Sequence, residues 1–290
     1  MAYRAEVFRD NILVTVDKLV RGLDAEAPVT IVDVRWQLDR PDGRADYERG
    51  HIPGAVYADL EAELSDHSVT GRGRHPLPSG SALQDTLRRW GARPDVPIVV
   101  YDNWNRAGSA RAWWVLRAAG LHNVRILDGG LAAWTAAGHE LATGNVHPEP
   151  SDIEIVRDDL TDGELPTLTA ADAATTSDRG ILVDARAPQR FRGEAEPVDP
   201  VAGHIPGARN VPGTAVLDEN GFFRPATELE ELFAAAGATH APAVGVYCGS
   251  GVTAAVDIAA LTILGIDAAL FPGSWSQWCA DGSRPVAVGE

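Results

Sequence analysis

The hexapeptide GHIPGA, Gly50 to Ala55, returns letter for letter at Gly203 to Ala208. Working outward, IVDVR (Ile31 to Arg35) is answered by LVDAR (Leu182 to Arg186). IVVYD, ending at Asp102, is answered by VGVYC, ending at Cys248, and LDGGLAAW, ending at Trp134, by FPGSWSQW, ending at Trp278. The landmarks keep one order and lie roughly 150 residues apart, the mark of a duplicated unit. Each copy alternates short β-branched runs with longer Ala- and Leu-rich segments. VTIVDV, PIVVYD and VRILDG read as buried strands, while SALQDTLRRWG and SARAWWVLRAAG have helical spacing and end at a glycine. The alternation predicts an α/β fold of two tandem domains, each a mostly parallel sheet flanked by helices, with ligands beyond the carboxyl ends of the strands.

A length of 290 residues suits two domains of ordinary core size. The expected boundaries are 1–143 for the first domain, 144–166 for a linker rich in Pro, Gly and acid, and 167–290 for the second. The formal net charge of -16 disfavours nucleic acid and anionic membranes as partners, so an anionic substrate needs a local cluster of cations. Two cysteines build no disulfide framework, and His or carboxylate ligands do not crowd them, so no metal is expected. The charged N-terminal stretch has neither a signal-peptide apolar region nor a membrane span, and the cytoplasm is the expected compartment.

Cys248 stands in VYCGSGVTAAVD, between a strand candidate and a helical segment that stops at Gly265. At such a turn the backbone N–H groups of Gly249, Ser250, Gly251, Val252 and Thr253 can converge on the sulfur, and the helix dipole adds to them, favouring a nucleophilic thiolate. The alternative for the same residues is an inert, packed cysteine. Cys279, in SQWCADG, has no glycine cradle and reads as packing; Trp36 and Trp275 suit either core or pocket wall.

Duplicated D-x-R and GHIPGA elements with a cysteine loop only in the second half closely resemble the tandem-domain rhodanese family of sulfurtransferases. The resemblance implies two rhodanese-like domains, the first inactive because Asp102 stands where the thiol belongs, and no cofactor. It also implies a Cys248 persulfide that passes sulfur from a small anionic donor to a thiophilic acceptor, whether a thiol, thioredoxin or cyanide. The loop CGSGVT resembles that of mercaptopyruvate-preferring relatives, with Ser250 where thiosulfate-preferring ones carry a lysine. By the same resemblance Arg190 is the substrate arginine, and Ser250, His51 and Asp42 form a hydroxyl, histidine and carboxylate series in which His51 moves a proton. Arg186, also a candidate, reads as pairing internally with Asp184, and Arg192 as solvated. Some relatives carry a second substrate arginine about nine residues beyond the first, where this chain reads EPVDP (Glu196 to Pro200) and has none. A cysteine phosphatase would need an arginine in the loop after Cys248, which is absent, and a noncatalytic binding module would have no use for the intact loop.

Overall fold

The computed structural model describes residues 2–290, with side chains from residue 6 onward. Nine strands form two sheets: β1 (Leu13–Val14), β2 (Thr30–Asp33), β3 (Val56–Tyr57), β4 (Ile98–Tyr101) and β5 (Val124–Leu127) in the first, β6 (Ile181–Asp184), β7 (Arg209–Asn210), β8 (Val244–Tyr247) and β9 (Ala269–Leu270) in the second. Their orders are β1-β5-β4-β2-β3 and β7-β6-β8-β9, and every pairing is parallel. The second order is the first read backwards without β1, as two copies of one unit require. Even β1 has a remnant, since Thr167 bridges Leu270 as Leu13–Val14 bridges β5. Central strands with no solvent face explain the unbroken apolar runs: β2, β4 and β8 are buried at every residue.

The recurring D-x-R and GHIPGA elements form one device. In the first unit Arg35 closes on Asp33 through both Nε and Nη2 and also donates to the carbonyl of Gly50; in the second, Arg186 does the same with Asp184 and the carbonyl of Gly203. A buried guanidinium thus ties the end of a strand to the following turn with its charge neutralised. The histidine of each turn stacks on the ring of a preceding aromatic and bonds that residue's carbonyl through Nδ1: His51 on Tyr47, His204 on Phe191. Residues 144–166 run along the first unit, with the Ser151 N–H on the carbonyl of Arg88 and Ile153 buried.

The two units face each other through helices Ala107–Ala118 and Ala254–Ile263, each buried along nearly its whole length. Each unit also lends a loop to the other. Gly73 and Arg74 of the first lie on Gly273 and Ser276 of the second, while Phe223 of the second donates its N–H to Asp128 of the first. Among the described residues no helix is long and apolar enough to cross a membrane.

Candidate active site

Cys248 is the first residue after β8, at the carboxyl end of a central strand, and only 3% of it is exposed. Its loop is pinned from below by the turn leading into helix Ser274–Ala280. Ser274 Oγ accepts from the Cys248 N–H at 3.1 Å, and the N–H groups of Trp275 and Ser276 bond the carbonyls of Cys248 and Gly249. Gly251, with φ of 80°, turns its N–H onto Sγ at 3.2 Å. A Cβ there would stand 2.5 Å from the carbonyl oxygen of Pro272, so the tight return needs glycine twice over, for dihedral and for space. Of the five N–H groups expected to converge, only that of Gly251 donates to the sulfur among the described residues; the side chain of Val252 is buried in the core.

The first unit has a counterpart of this cradle. At the matching turn Asp102 places its own carboxylate among the loop donors, accepting from the N–H groups of Trp104, Arg106 and Ser109 and from Ser109 Oγ at 2.6 Å. The same turn aims backbone N–H groups at a side-chain acceptor in both copies, the Asp102 carboxylate in one and the Cys248 sulfur in the other.

The residues facing the cysteine loop come from the first unit. Ser250 Oγ lies 2.7 Å from His75 Nδ1, and His75 Nε2 lies 3.0 Å from Glu61 Oε1, which also accepts from Trp36 Nε1 at 2.6 Å. Burial alone would raise the Glu61 carboxyl, but the bonds from His75, Trp36 and His67 outweigh it and hold the pKa at about 2. Burial pushes His75 below its ordinary value, only partly opposed by Glu61, so the ring is neutral at pH 7. A charged Glu61 assigns the proton to Nε2, leaves Nδ1 as acceptor, and makes Ser250 the donor to it.

Beneath the loop, Arg111 is fully buried and spends its donors on carbonyls: Nη1 on Gly251 at 3.2 Å, Nη2 on Leu64 and His75, both at 3.0 Å. Among the described residues it forms no salt bridge. Burial lowers its pKa to about 10, and the charges that act against this are those of Cys248 and Glu61. A guanidinium stays charged in any case, so the site carries a permanent positive charge under its sulfur.

Arg190 reaches the same loop from helix Pro188–Phe191, fixed by Glu196 at 3.1 Å through Nε and at 2.6 Å through Nη2. Arg74 approaches from the first unit and pairs with Asp199. Around Gly249, a Cβ would stand 3.0 Å from Arg74 Nη2 and 3.4 Å from Arg190 Nη1.

Both halves of the chain match the rhodanese-like domain, over residues 15–137 and 167–281. The chain belongs to the rhodanese family. It is 57% identical over 282 residues to a putative thiosulfate sulfurtransferase, SseB, of Mycobacterium tuberculosis, covering 97% of this chain and 98% of that one. It is 35% identical to the 3-mercaptopyruvate sulfurtransferase of Escherichia coli, over 93% of this chain and 95% of that one. The crystal structure of SseA from Escherichia coli superposes with a TM-score of 0.79 at 35% identity, covering 91% of this chain and 98% of that one. Kinship of this extent makes the protein an enzyme of the sulfurtransferase class.

Against this rhodanese frame, two site expectations need correction. The histidine that meets Ser250 is His75, not His51, and the carboxylate behind it is Glu61, not Asp42. His51 bonds the Tyr47 carbonyl through Nδ1 while its buried Nε2 has no partner among the described residues, and Asp42 is an exposed residue that accepts from the Arg44 N–H and from Tyr57 Oη. Arg186 is closed off from a substrate by Asp184, Glu196 and the Gly203 carbonyl, with its guanidinium 4.7 Å over the ring of Trp275. Arg192 pairs with Glu194 at the surface. The sequence reading missed Glu61, Arg74, His75 and Arg111. A signal existed for His75: it lies in GRGRHPLP, outside the repeated elements, whereas His51 recurs as His204 in both units and so belongs to the scaffold.

Proposed function

We propose that this enzyme takes sulfur from 3-mercaptopyruvate onto Cys248 as a persulfide and passes it to a thiophilic acceptor such as a thiol, thioredoxin or cyanide. The observation that carries the reading is the series Ser250, His75 and Glu61 beside the neutral Gly249–Ser250 loop. The Cys248 thiolate attacks the donor's sulfur, the S–S bond forms, the C–S bond breaks, and its electron pair leaves on carbon as the enolate of pyruvate. The former thiol proton must then reach that carbon. Ser250, already donating to neutral His75, accepts this proton as it hands its own to Nδ1; Glu61 supports the imidazolium until the proton returns to the enolate. In the second half-reaction the acceptor attacks the outer sulfur and Cys248 leaves as thiolate, held by the Gly251 N–H and by the charge of Arg111.

Thiosulfate is the second reading, favoured by the name given to the Mycobacterium tuberculosis relative. Cleavage of its S–S bond releases sulfite and moves no proton, so it leaves the Ser250–His75–Glu61 series without a task. Two free cysteines suit a reducing compartment, and we place the enzyme in the cytoplasm. Steady-state rates with both donors at equal cyanide test the reading: kcat/KM is higher for 3-mercaptopyruvate, and a higher value for thiosulfate overturns the donor. Intact-mass measurement after donor exposure shows one added sulfur on the native chain and none on Cys248→Ser.

A further inference from the structure

The Ser250–His75–Glu61 series has a further contact at its acid end to which the reaction proposed above gives no task. Among the described residues Glu61 accepts from three side chains: His75 Nε2 at 3.0 Å and Trp36 Nε1 at 2.6 Å, both on Oε1, and His67 Nε2 at 2.8 Å on Oε2. Glu61 stands on the four-residue helix Leu60–Glu63 and its side chain is 30% exposed, so the backbone does little to aim the carboxylate and the neighbouring donors must do so. These donors are unequal. His67 is half exposed, and water competes for its bond. Trp36 is buried, and an indole N–H can only donate, so its bond to Oε1 holds whether His75 is neutral or charged.

Trp36 is itself held from two sides. It follows Arg35, whose guanidinium is closed on Asp33 and on the Gly50 carbonyl, so the chain that carries the indole is fixed. Its ring meets that of His75 edge to face, with centroids 5.5 Å apart and planes at 88°, and the two ring N–H groups reach the same oxygen. The duplication separates this task from that of the scaffold. After the matching arginine of the second unit, Arg186, stands Ala187, so the D-x-R device needs no tryptophan beside it. The tryptophan belongs to the unit that supplies the histidine and the carboxylate.

We propose that Trp36 is a positioning residue of the proton transfer: its indole N–H holds Glu61 Oε1 in line with His75 Nε2, which keeps the proton of the neutral ring on that nitrogen and leaves Nδ1 to accept from Ser250. The same bond stabilises the carboxylate as an anion, so Glu61 stays ionised while it supports the imidazolium. Trp36 acts through Glu61 and His75, and needs no contact with the donor. The inference rests on the proton-transfer reading of that series.

The test is a double-mutant cycle on Trp36→Phe and Glu61→Gln, assayed with 3-mercaptopyruvate and with thiosulfate at equal cyanide. Phenylalanine keeps a ring against His75 and removes the N–H. Loss of one hydrogen bond to a charged group lowers kcat for 3-mercaptopyruvate about tenfold, with KM within about twofold. In the Glu61→Gln background the same replacement changes kcat by no more than about twofold, because the residue it acts through is already gone. Turnover of thiosulfate, which moves no proton, stays within about twofold of native in Trp36→Phe. A loss that recurs undiminished in the Glu61→Gln background, or that falls on both donors alike, overturns the proposal, since Trp36 would then only shape the fold. A rise in KM with kcat unmoved overturns it too and makes the indole a pocket wall. Should Trp36→Phe not fold, β-(3-benzothienyl)alanine placed at position 36, which keeps the shape of the indole and replaces its N–H by sulfur, is read the same way. If Glu61→Gln alone leaves kcat for 3-mercaptopyruvate unmoved, the proton-transfer reading fails and takes this inference with it; if Glu61→Gln lowers kcat and Trp36→Phe does not, that reading stands and Trp36 has no part in it.

Discussion

At the scale of single residues, the site sets two charges by burial. Glu61 is held ionised to about pH 2 and keeps His75 oriented, while desolvation keeps His75 neutral. Since His75 is depressed below 6.5, turnover of 3-mercaptopyruvate is fully present above that value and is lost as pH falls through a lower one. Glu61→Gln removes the anion that supports the imidazolium: the plateau of kcat falls about a hundredfold and the acid limb moves to still lower pH, as a pH–rate profile at saturating donor will show. An acid limb that stays in place would remove Glu61 from the series. Arg111 acts on the sulfur in the same currency. Arg111→Met strips the only buried cation bonded to the Gly251 carbonyl among the described residues. Alkylation of Cys248 by iodoacetamide at pH 7 then slows about tenfold, with Arg111→Lys in between, and an unchanged rate would show the charge to be irrelevant to the thiolate.

At the scale of elements, the cradle is a strand end, a glycine turn and a helix start, and its geometry rather than its composition holds the sulfur. Gly251→Ala tests this. The new Cβ meets the Pro272 carbonyl at 2.5 Å at a φ of 80°, so the loop must shift, moving the N–H from Sγ and the carbonyl from Arg111 together. The expected loss is on the order of a hundredfold in kcat/KM with about 1–3 kcal/mol of stability, read from kinetics and denaturant titration; activity near the native level would show that the cradle tolerates the shift. Elements of this kind were legible in the sequence, because strand, turn and helix are local and the duplication displayed each of them twice. β2, β4 and β5, and the helices Gly80–Arg89 and Ala107–Ala118, lie where the apolar runs place them. Contacts between the units were not legible. Glu61, Arg74, His75 and Arg111 lie far along the chain from Cys248, and no local period reports that Arg111 and Gly251 meet across 140 residues. The resemblance misdirected one reading: it carried the family's histidine onto His51, although a histidine present in both copies, as His51 and His204, serves the turn that both share.

At the scale of the whole molecule, the two units are joined through buried helices, and one of these helices also buries an ionisable carboxyl, which has a pH signature. Asp257, on helix Ala254–Ile263, is fully buried, and neither of its carboxylate oxygens has a partner among the described residues. Burial, with a smaller push from Asp184, raises its pKa well above 3.8, so the folded protein holds a proton there that the unfolded chain releases. A raised group stabilises the fold below its unfolded value of 3.8, and that stability is lost as pH rises toward the folded value, at about 1.4 kcal/mol per pH unit. Asp33, Asp128 and Asp199 are raised as well, so the native curve alone does not isolate Asp257. The difference between Asp257→Asn and the native protein does, because the amide cannot ionise. Denaturant unfolding at a series of pH values from 4 to 9 shows the variant gaining on the native protein as pH rises, and then levelling once Asp257 is ionised in the folded native protein. A difference that stays flat over this range means that folding leaves the affinity of Asp257 for its proton unchanged, and the unpartnered carboxyl then costs the fold nothing that depends on charge.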